Sequence, residues 1–390
     1  MTPTGGSQVY KRDGRPFLRS QNVGWGNLLM DDVAYINDDI HNTFKSTEIQ
    51  LNDVLLNITG ASIGRSAVAT HAVIGGNVNQ HVCIIRTNDQ ELHHYYLNLF
   101  LLSKKGQNLI DSYQAGGNRQ GLNFEHIRSF KIPLPGFPEQ TAIANVLSAW
   151  DKAIQTTTAI ITQKQNRKKW LMQQLLTGKK RLTAFAKALA DKKGVKGNIW
   201  PKKVLGEFLE KHNEKTTDNN QYPVLTSSRN GIFLQKDYYT RDVASEDNTG
   251  YNVVPRGYFT YRHMSDDLIF KFNINDIVDR GIVSTLYPVF SVKNINKHFL
   301  SYKLNEGWEF KNHALQQKQG GSRTYMYFSA LEELSIYLPS IDEQNAITNV
   351  FQTADKEIQA LQSKLDKLKE QKKGLMQVLL TGKKRLKIKK

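Results

Sequence analysis

Arginine, lysine, amide and hydroxyl side chains cluster beside glycine turns in two stretches of this 390-residue chain. Such side chains bind phosphates and hydrogen bond to base edges when a loop carries them into a nucleic-acid groove. The candidates in the first stretch are Lys11, Arg12, Arg15, Arg19, Ser20, Gln21, Asn22, Asn57, Thr59, Arg65, Asn77, Asn79, Gln80 and Arg119. The candidates in the second stretch are Thr226, Ser227, Ser228, Arg229, Asn230, Tyr261, Arg262, His263, Arg280, Ser284 and Arg323. For each residue the alternative is a solvated turn or a structural hydrogen bond.

Motifs for catalysis are incomplete in this sequence. Gly178-Lys179-Lys180 lacks the Ser or Thr after the first lysine and the upstream glycine that a phosphate-binding loop needs. The two glycines of residues 60–65 belong to a common kind of turn and do not indicate nucleotide binding. His93 and His94 form no metal-ligand pattern with Cys83, the only cysteine. We therefore expect no catalytic centre and no metal site.

One long segment of the chain occurs twice. Residues 134–182 return as residues 338–386 at a constant offset of 204, with 25 of the 49 positions identical and no gap. A repeat of this length indicates a duplicated unit. It predicts four segments: residues 1–133 (the first block), 134–199 (a helix and linker), 200–337 (the second block) and 338–390 (a second helix).

Both blocks have the sequence pattern of mixed α/β domains. In the first block, short apolar runs predict strands at residues 53–58, 67–69 and 82–86, and residues 92–110 predict a helix. The second block predicts strands at residues 204–209, 257–261 and 282–292, and a helix at 296–315. A glycine turn followed by Arg119 in the first block and by Arg323 in the second shares the 204-residue offset.

The repeated segments predict two long helices. Gly178 and Gly382 follow the last apolar positions, where a C-terminal cap requires positive φ. Within each helix, apolar residues recur in alternating steps of four and three, which is the pattern of a coiled-coil seam. The predicted seam is Ile143, Leu147, Trp150, Ile154, Ile161, Leu171 and Leu175 in the first copy, and Ile347, Phe351, Ile358, Leu361, Leu365, Leu368, Leu375 and Leu379 in the second.

The two helices are expected to pair with each other. Thr157, Lys164 and Lys168 interrupt the seam of the first copy, so it would pair poorly with itself. Because domain termini usually lie close together, chain tracing predicts an antiparallel pair. Symmetric pairing would place Trp150 opposite Lys372, and Lys168 opposite residue 354. The predicted fold class is α+β: two mixed α/β domains separated by two long helices that form an intramolecular antiparallel coiled coil with pseudo-two-fold symmetry.

The positive charge lies mainly on the repeated segments. Of the net charge of +17, residues 134–199 carry +9 and residues 338–390 carry +6, whereas each block carries +1. A basic chain indicates an acidic partner such as nucleic acid, which near-neutral blocks would bind with an asymmetric face. No apolar run approaches the ~18 residues of a membrane span, and the N-terminus has no signal-peptide core. We therefore expect a cytoplasmic protein without a membrane partner.

These features together resemble the specificity subunit of type I restriction-modification systems. The resemblance rests on the strand-to-helix passages at residues 132–143 and 336–347 and on the shared ending Leu-Leu-Thr-Gly-Lys-Lys-Arg-Leu. Residues 53–65 and 281–290 are also similar to the strand and glycine-turn elements of that family. The likeness covers nearly the whole chain.

The resemblance implies that the two blocks are target-recognition domains for a bipartite site in double-stranded DNA. It also implies two methyltransferase subunits and two restriction and translocase subunits as partners. S-adenosylmethionine, ATP and Mg²⁺ would be bound by those partners, and this chain would bind no cofactor. In agreement, the sequence has no Pro-Pro pair and therefore no Asp/Asn-Pro-Pro-aromatic loop of the DNA methyltransferase kind.

The first block departs from the family's pattern. The second block opens with Trp200-Pro201-Lys202-Lys203-Val204-Leu205-Gly206, which resembles the usual start of such a domain. The first block has no counterpart, since Thr2-Pro3-Thr4-Gly5-Gly6 already resembles the turn that follows this strand. We therefore expect the first block to lack its opening strand.

The leading interpretation is a non-catalytic DNA-specificity subunit. Its coiled coil would set the spacing of the half-sites and dock the methyltransferase subunits. Two other classes stay open at this point: a restriction or modification enzyme subunit with an unrecognised active site, and a coiled-coil scaffold that binds only proteins.

Overall fold

The computed structural model describes residues 3, 6–114, 121–185, 200–238, 246–318 and 322–387. The chain forms two compact units, Met1–Ala159 with Gln362–Lys390, and Ile160–Leu361. The first block belongs to the first unit and the second block to the second unit. The predicted four-segment division cuts the chain differently, and its boundaries stay a prediction.

The first block is built from short strands and helices. Its strands are β1 (Arg15–Leu18), β2 (Ala34–Ile36), β3 (Val54–Asn57), β4 (Ser66–Val68), β5 (Asn77–Val78) and β6 (Val82–Ile85). Its helices are α1 (Asp38–Thr43), α2 (His94–Leu102), α3 (Lys104–Ser112) and α4 (Phe124–Arg128), and the long helix α5 (Phe137–Leu175) follows. Strand β1 pairs antiparallel with β2 and parallel with β5, whereas β3 lies between β4 and β6 in an antiparallel sheet.

Strand β3 is the centre of the first block's core. Leu55 packs in one apolar cluster with Leu18, whereas Val54 and Leu56 pack in another with Leu97 of α2. Because successive side chains of a strand point to opposite faces, burial of both faces explains its continuous apolar sequence. The three strands predicted in this block are confirmed as β3, β4 and β6.

The second block contains several small sheets. Its strands are β7 (Lys202–Val204), β8 (Leu209–His212), β9 (Leu225–Ser228), β10 (Gly231–Leu234), β11 (Asn252–Pro255), β12 (Phe259–Thr260), β13 (Met264–Ser265), β14 (Asn273–Ile274), β15 (Arg280–Val283), β16 (Val289–Val292), β17 (Thr324–Tyr325) and β18 (Ser335–Tyr337). Its helices are α6 (Gln235–Tyr238), α7 (Lys297–Glu306), α8 (Trp308–Gln316) and α9 (Phe328–Glu332), and the long helix α10 (Ile341–Leu379) follows. The largest sheet has the order β14-β12-β16-β8, and its rings Phe259 and Phe290 stack at 4.9 Å in the core.

The opening strand of the second block has a structural role. Strand β7 pairs antiparallel with β18, the last strand before the long helix. At the equivalent place in the first block, residues 131–133 are not in a strand. This difference agrees with the expected absence of the opening strand from the first block.

Both helices predicted within the blocks are broken in the middle. Instead of one helix at residues 92–110, α2 ends at Ser103, whose Oγ donates to the Phe100 carbonyl at 2.7 Å and accepts from the Gly106 N–H at 3.1 Å. A Cβ at Gly106 would lie 2.0 Å from the Phe100 carbonyl oxygen, so the tight corner requires glycine. Gly307, 204 residues after Ser103, separates α7 from α8 in the same way.

The strand predicted at residues 204–209 is also divided. A turn of 3-10 helix, Leu205–Glu207, separates β7 from β8. The strand predicted at residues 282–292 is instead the pair β15 and β16, joined by a turn in which the Tyr287 N–H donates to the Ser284 carbonyl at 3.0 Å. Short turns of this kind leave the apolar pattern intact and are therefore invisible to it.

The ends of the long helices are capped in the same way. Gln140 Nε2 donates to the Pro135 carbonyl at 2.9 Å, and Gln344 repeats this bond to Pro339 at 2.9 Å. At the other ends, Gly178 and Gly382 have φ values of +69° and +71°, which confirms the predicted glycine caps.

The long helices pack together within each unit. In the first unit, Ile143 and Leu147 near the start of α5 pack with Leu379 at the end of α10. In the second unit, Met172 near the end of α5 and Phe351 near the start of α10 share one core cluster. These contacts confirm the antiparallel pairing. All residues of the predicted seam are buried or partly buried.

Each unit contains a polar triad between the long helices and a block. The two triads are Tyr95–Asp151–Lys372 and Tyr302–Asp355–Lys168. The lysine Nζ lies 2.6 Å from the carboxylate in the first triad and 2.5 Å in the second. The tyrosine hydroxyl donates to the same carboxylate at 2.9 Å and 2.8 Å. The predicted layer lies one residue away, since Lys372 and Lys168 meet the residues that follow Trp150 and Ala354.

A second repeated contact joins the start of one long helix to the segment after the other. Arg385 donates to Glu139 with Nε at 2.7 Å, and its guanidinium holds the pKa of that carboxyl below its usual value. Arg181 forms the equivalent pair with Glu343, whose side chain is fully buried. Glu343 also accepts a hydrogen bond from Trp200 Nε1 at 3.2 Å.

Candidate nucleic-acid interface

Three segments of the second block meet around two acidic residues. Arg229 lies at the tip of the β9–β10 hairpin, and its Nη2 donates to Asp267 Oδ1 at 2.7 Å. Arg323, immediately before β17, donates through Nε to Asp266 Oδ1 at 3.0 Å. The arginine side chains remain 60% and 54% exposed. We call these four residues the Asp266 patch.

Stacked aromatic rings stand next to this patch in the chain. His263 precedes β13, and Tyr325 and Tyr327 follow Arg323 along and after β17. The centroid distances are 5.5 Å between His263 and Tyr327 and 5.7 Å between the two tyrosines. Tyr327 is 57% exposed although it is a large ring. Exposed rings of this kind offer flat apolar contact area together with a hydrogen-bonding hydroxyl.

The Asp266 patch can exchange its internal partners for external ones. Hydrogen bonds from Arg229 and Ser265 hold the pKa of Asp267 below its usual value, so its carboxylate is charged at neutral pH. Exposed ion pairs of this kind contribute little to stability, so the arginines can leave them at small cost. Arginine can then donate to a phosphate or to two acceptors of guanine, and a carboxylate can accept from cytosine.

Other predicted residues of the second block are used inside the domain. Tyr261 is fully buried and donates to the Met326 carbonyl at 3.0 Å, and burial raises its pKa. Ser227 and Ser228 both accept hydrogen bonds from Asn273 Nδ2 at 2.9 Å, through Oγ and the carbonyl respectively. We therefore revise the role expected for Tyr261, whose hydroxyl cannot reach a groove.

The remaining candidates of this block differ in exposure. Arg262 and Asn230 are exposed, and Thr226 is half-buried on β9. Arg280 is held elsewhere, because it donates to both carboxylate oxygens of Glu214 and to the Tyr222 hydroxyl at 2.9 Å. The structure thus brings together Arg229 and Arg323 but places Arg280 in a separate ion pair.

A smaller polar cluster lies beside β1 and β2 in the first block. Arg19 and Gln21 both donate to Asp32, at 3.2 Å and 2.5 Å. Arg15 donates to Asp38 at 2.5 Å, and this contact holds the pKa of Asp38 below its usual value. We call Arg19, Gln21 and Asp32 the Asp32 cluster. Lys11 and Arg12 are exposed in the same part of the sequence.

Several predicted asparagines of the first block are buried and hold the fold. Asn22 Nδ2 donates to the carbonyls of Leu29 and Asp32, and Asn57 Nδ2 donates to the Ser20 carbonyl at 2.8 Å. Other buried amides are Asn77 and Asn79. Because an unpaired buried backbone carbonyl is costly, these amides serve the structure. We therefore revise the role expected for Asn22, Asn57 and Asn79.

The last candidates of the first block do not form one site. Thr59 Oγ1 lies 2.5 Å from His81 Nδ1, and the exposed Gln80 lies next to the same imidazole at 3.4 Å. Arg65 is half-buried. Arg119 lies outside the described residues.

Sequence reasoning missed both acidic residues of the Asp266 patch and the two tyrosines beside it. In residues 324–327, buried and exposed positions alternate, with Tyr325 and Tyr327 outside. A strand whose exposed positions are both aromatic is a signal that period-two patterning could have revealed.

The described residues include no group of three or more His, Cys, Asp or Glu side chains placed to hold a metal ion. Within the same residues, no helix is long and apolar enough to cross a membrane.

Comparison with known proteins identifies the family. The family model for the type I restriction modification DNA specificity domain matches residues 12–165 and 199–370, one match for each half of the chain. The type I restriction enzyme MjaVIII specificity subunit of Methanocaldococcus jannaschii is 24% identical over 393 residues, covering 91% of this chain and 85% of the relative.

Solved structures show the same fold. The S subunit of a type I restriction-modification system from M. genitalium has a TM-score of 0.56 at 14% identity, covering 97% of this chain and 92% of the other. A chain from a study of complex assembly and conformational transition in a type I R-M system has a TM-score of 0.53 at 15% identity, covering 94% and 91%. With the family match over both halves, the chain belongs to the type I restriction-modification specificity subunits.

Proposed function

We propose that this chain is a non-catalytic subunit and that each of its blocks reads one half of a bipartite site in double-stranded DNA. The blocks have diverged in sequence while the helices after them have not, as expected when two copies of a domain read different bases. Members of the family share the two-part architecture, and the name of the Methanocaldococcus relative calls it a specificity subunit. Both facts support the proposal.

The Asp266 patch is the observation that carries the proposal for the second half-site. It combines two exposed guanidinium groups with two carboxylates and neighbouring rings on loops from three parts of the block. Base recognition in a groove needs donors, acceptors and apolar contact area together, whereas simple phosphate attraction needs only positive charge. The near-neutral charge of the block is consistent with such a directed surface.

For the other contacts we keep the exposed or partly exposed candidates as proposals. In the first block these are Lys11, Arg12, Arg15, Arg19, Gln21, Thr59, Arg65, Gln80 and Arg119. In the second block they are Thr226, Ser227, Ser228, Asn230, Arg262 and Arg280.

The long helices are proposed to set the spacing between the half-sites. Each has 39 residues and is about 58 Å long at ~1.5 Å per residue. Half-sites read from one face of DNA lie near a whole turn apart, ~34–36 Å. Removing one heptad from both helices is expected to shorten the preferred spacer, and an unchanged spacer would remove this part of the proposal.

We further propose two methyltransferase subunits and two restriction subunits as partners. S-adenosylmethionine, ATP and Mg²⁺ would then be bound by those partners. The basic excess on the helices supports their use as docking surfaces.

Two measurements test the proposed function. Purified chain incubated alone with DNA, Mg²⁺ and S-adenosylmethionine is expected to neither methylate nor cut the DNA, and either activity would overturn the non-catalytic role. DNA from cells that carry this chain and the methyltransferase of its system is expected to contain methylated adenines in a bipartite motif. A continuous motif would contradict the assignment of one half-site to each block.

A further inference from the structure

A basic groove lies in the first unit between the α2–α3 junction and the C-terminal part of α10. Its volume is about 780 Å³, and its floor contains the apolar side chains of Leu102, Ile154 and Met376. Six lysines line it: Lys104, Lys105, Lys369, Lys372, Lys373 and Lys383. Lys372 is paired with Asp151, whereas the other five form no ion pair within the described part of the chain. We call this groove 1.

The second unit contains an equivalent groove, which we call groove 2. It lies between α7–α8 and the C-terminal part of α5, and its volume is about 580 Å³. Met172 and Ile358 line it at the positions that Met376 and Ile154 occupy in groove 1, 204 residues apart in each case. Two grooves with the same apolar residues fit two copies of the same partner segment.

The two grooves differ in charge. None of the described residues that line groove 1 is acidic. Groove 2 contains Glu306 and Asp355 beside its four lysines, and Gln165 occupies the position of Lys369. Lys168 is neutralised by Asp355 at 2.5 Å, and Lys271 lies 3.8 Å from Glu306. Groove 1 is therefore much more positive than groove 2.

We propose that the two grooves bind the same acidic, partly apolar helix from two copies of the methyltransferase subunit, and that groove 1 binds it more tightly. This inference rests on the proposed docking of that partner. A helix with one apolar face suits a groove with an apolar floor, and carboxylates on its flanks would meet the lysines. Phosphates of DNA would use the lysines but leave Leu102, Ile154 and Met376 without a role, so the floor favours a protein segment.

The unequal charge makes assembly stepwise. The first copy of the partner fills groove 1 because several unpaired lysines attract its carboxylates, and the second copy fills groove 2. Attraction between exposed charges weakens with salt, since the screening length is ~8 Å at physiological ionic strength and ~3 Å at 1 M. The two steps therefore differ at low salt and converge at high salt.

The test is a titration of the full-length chain with the purified methyltransferase subunit of its own system, followed by native mass spectrometry and analytical ultracentrifugation. At low salt the first step is expected to be roughly tenfold tighter than the second, and the ratio is expected to approach one near 1 M salt. Lys369→Glu with Lys373→Glu should remove the tight step. The matched control, Gln165→Glu with Lys169→Glu, should weaken only the second step.

Other outcomes would overturn the inference. Two equal steps at every salt concentration, or identical effects of the two variant pairs, would contradict unequal grooves while leaving the docking function intact. Absence of any binding by the methyltransferase subunit would contradict the docking function as well. Loss of DNA affinity with unchanged partner binding in the groove 1 variant would identify a phosphate site instead. Circular dichroism of each variant establishes that the helices remain folded.

Discussion

The ends of the long helices carry the same contacts in both units, whereas the two blocks present different polar surfaces. Glu139 with Arg385 and Glu343 with Arg181 are one contact made twice, with the two copies exchanging roles. No such equivalence joins the Asp32 cluster to the Asp266 patch, which lie on different elements of their blocks.

The comparison shows where the duplicated chain is constrained by its own structure. A change in one helix must still fit the other copy, because each helix supplies half of every repeated contact. Surface loops of a block are not bound by that condition and can diverge. The helices are therefore the common frame, and the loops are where the two halves differ in what they bind.

The largest expected effect concerns the repeated glutamates. Glu343→Ala should lower the free energy of unfolding of the second unit by about 3 kcal/mol, because it leaves the Arg181 guanidinium without its fully buried partner. Glu139→Ala should cost less, since its partner Arg385 is 68% exposed. Urea unfolding of both variants measures the difference, and equal losses would contradict the importance of burial at these sites.

The next effect concerns DNA binding by the second block. Arg229→Ala combined with Arg323→Ala should weaken binding to DNA that contains the second half-site by at least tenfold. Arg256→Ala is the matched control, because Arg256 is an exposed arginine of the same block, paired with Asp279 at 2.9 Å outside the patch. Fluorescence anisotropy at fixed salt compares them, and similar losses in both variants would indicate bulk charge rather than a directed surface.

A smaller effect tests the equivalence of the two polar triads. Lys372→Met and Lys168→Met should each destabilise their own unit by about 1 kcal/mol, because each breaks a partly buried ion pair. Calorimetry of the two variants should give similar losses. A loss confined to one variant would show that only one triad is important for stability.

The smallest effect is a pH dependence at the Glu139–Arg385 contact. Arg385 keeps the pKa of Glu139 lower in the folded chain than in the unfolded chain. The contact therefore contributes stability above about pH 4.5, and this contribution is lost as the pH falls through the folded pKa. Arg385→Gln should reduce the acid-induced drop in Tm, and an unchanged drop would remove this contact as its cause.

The sequence predicted the frame better than the surfaces. Helix bounds, glycine caps and antiparallel pairing follow from local periodicity and from the 204-residue repeat, and the structure has all three. The breaks at Ser103 and Gly307 were missed because a single side chain or corner ends a helix without disturbing its apolar content.

The candidate site was harder to predict for a physical reason. A polar residue beside a glycine turn can face solvent or can bond to a distant carbonyl, and its neighbours in sequence do not distinguish these fates. Asn57 bonds to the Ser20 carbonyl, 37 residues away, and so belongs to the core. Arg229 and Arg323, 94 residues apart, meet the adjacent Asp267 and Asp266 only once the block is folded.

The most direct test of the central claim is the methylation motif that this chain directs in cells carrying the methyltransferase of its system. Sequencing of methylated adenines should be done with the natural chain and with the variant carrying both Arg229→Ala and Arg323→Ala. We expect a bipartite motif in which the variant relaxes or loses one half and keeps the other half and the spacer. A variant that changes both halves equally, or a motif that does not change at all, would contradict the claim that each block reads its own half-site.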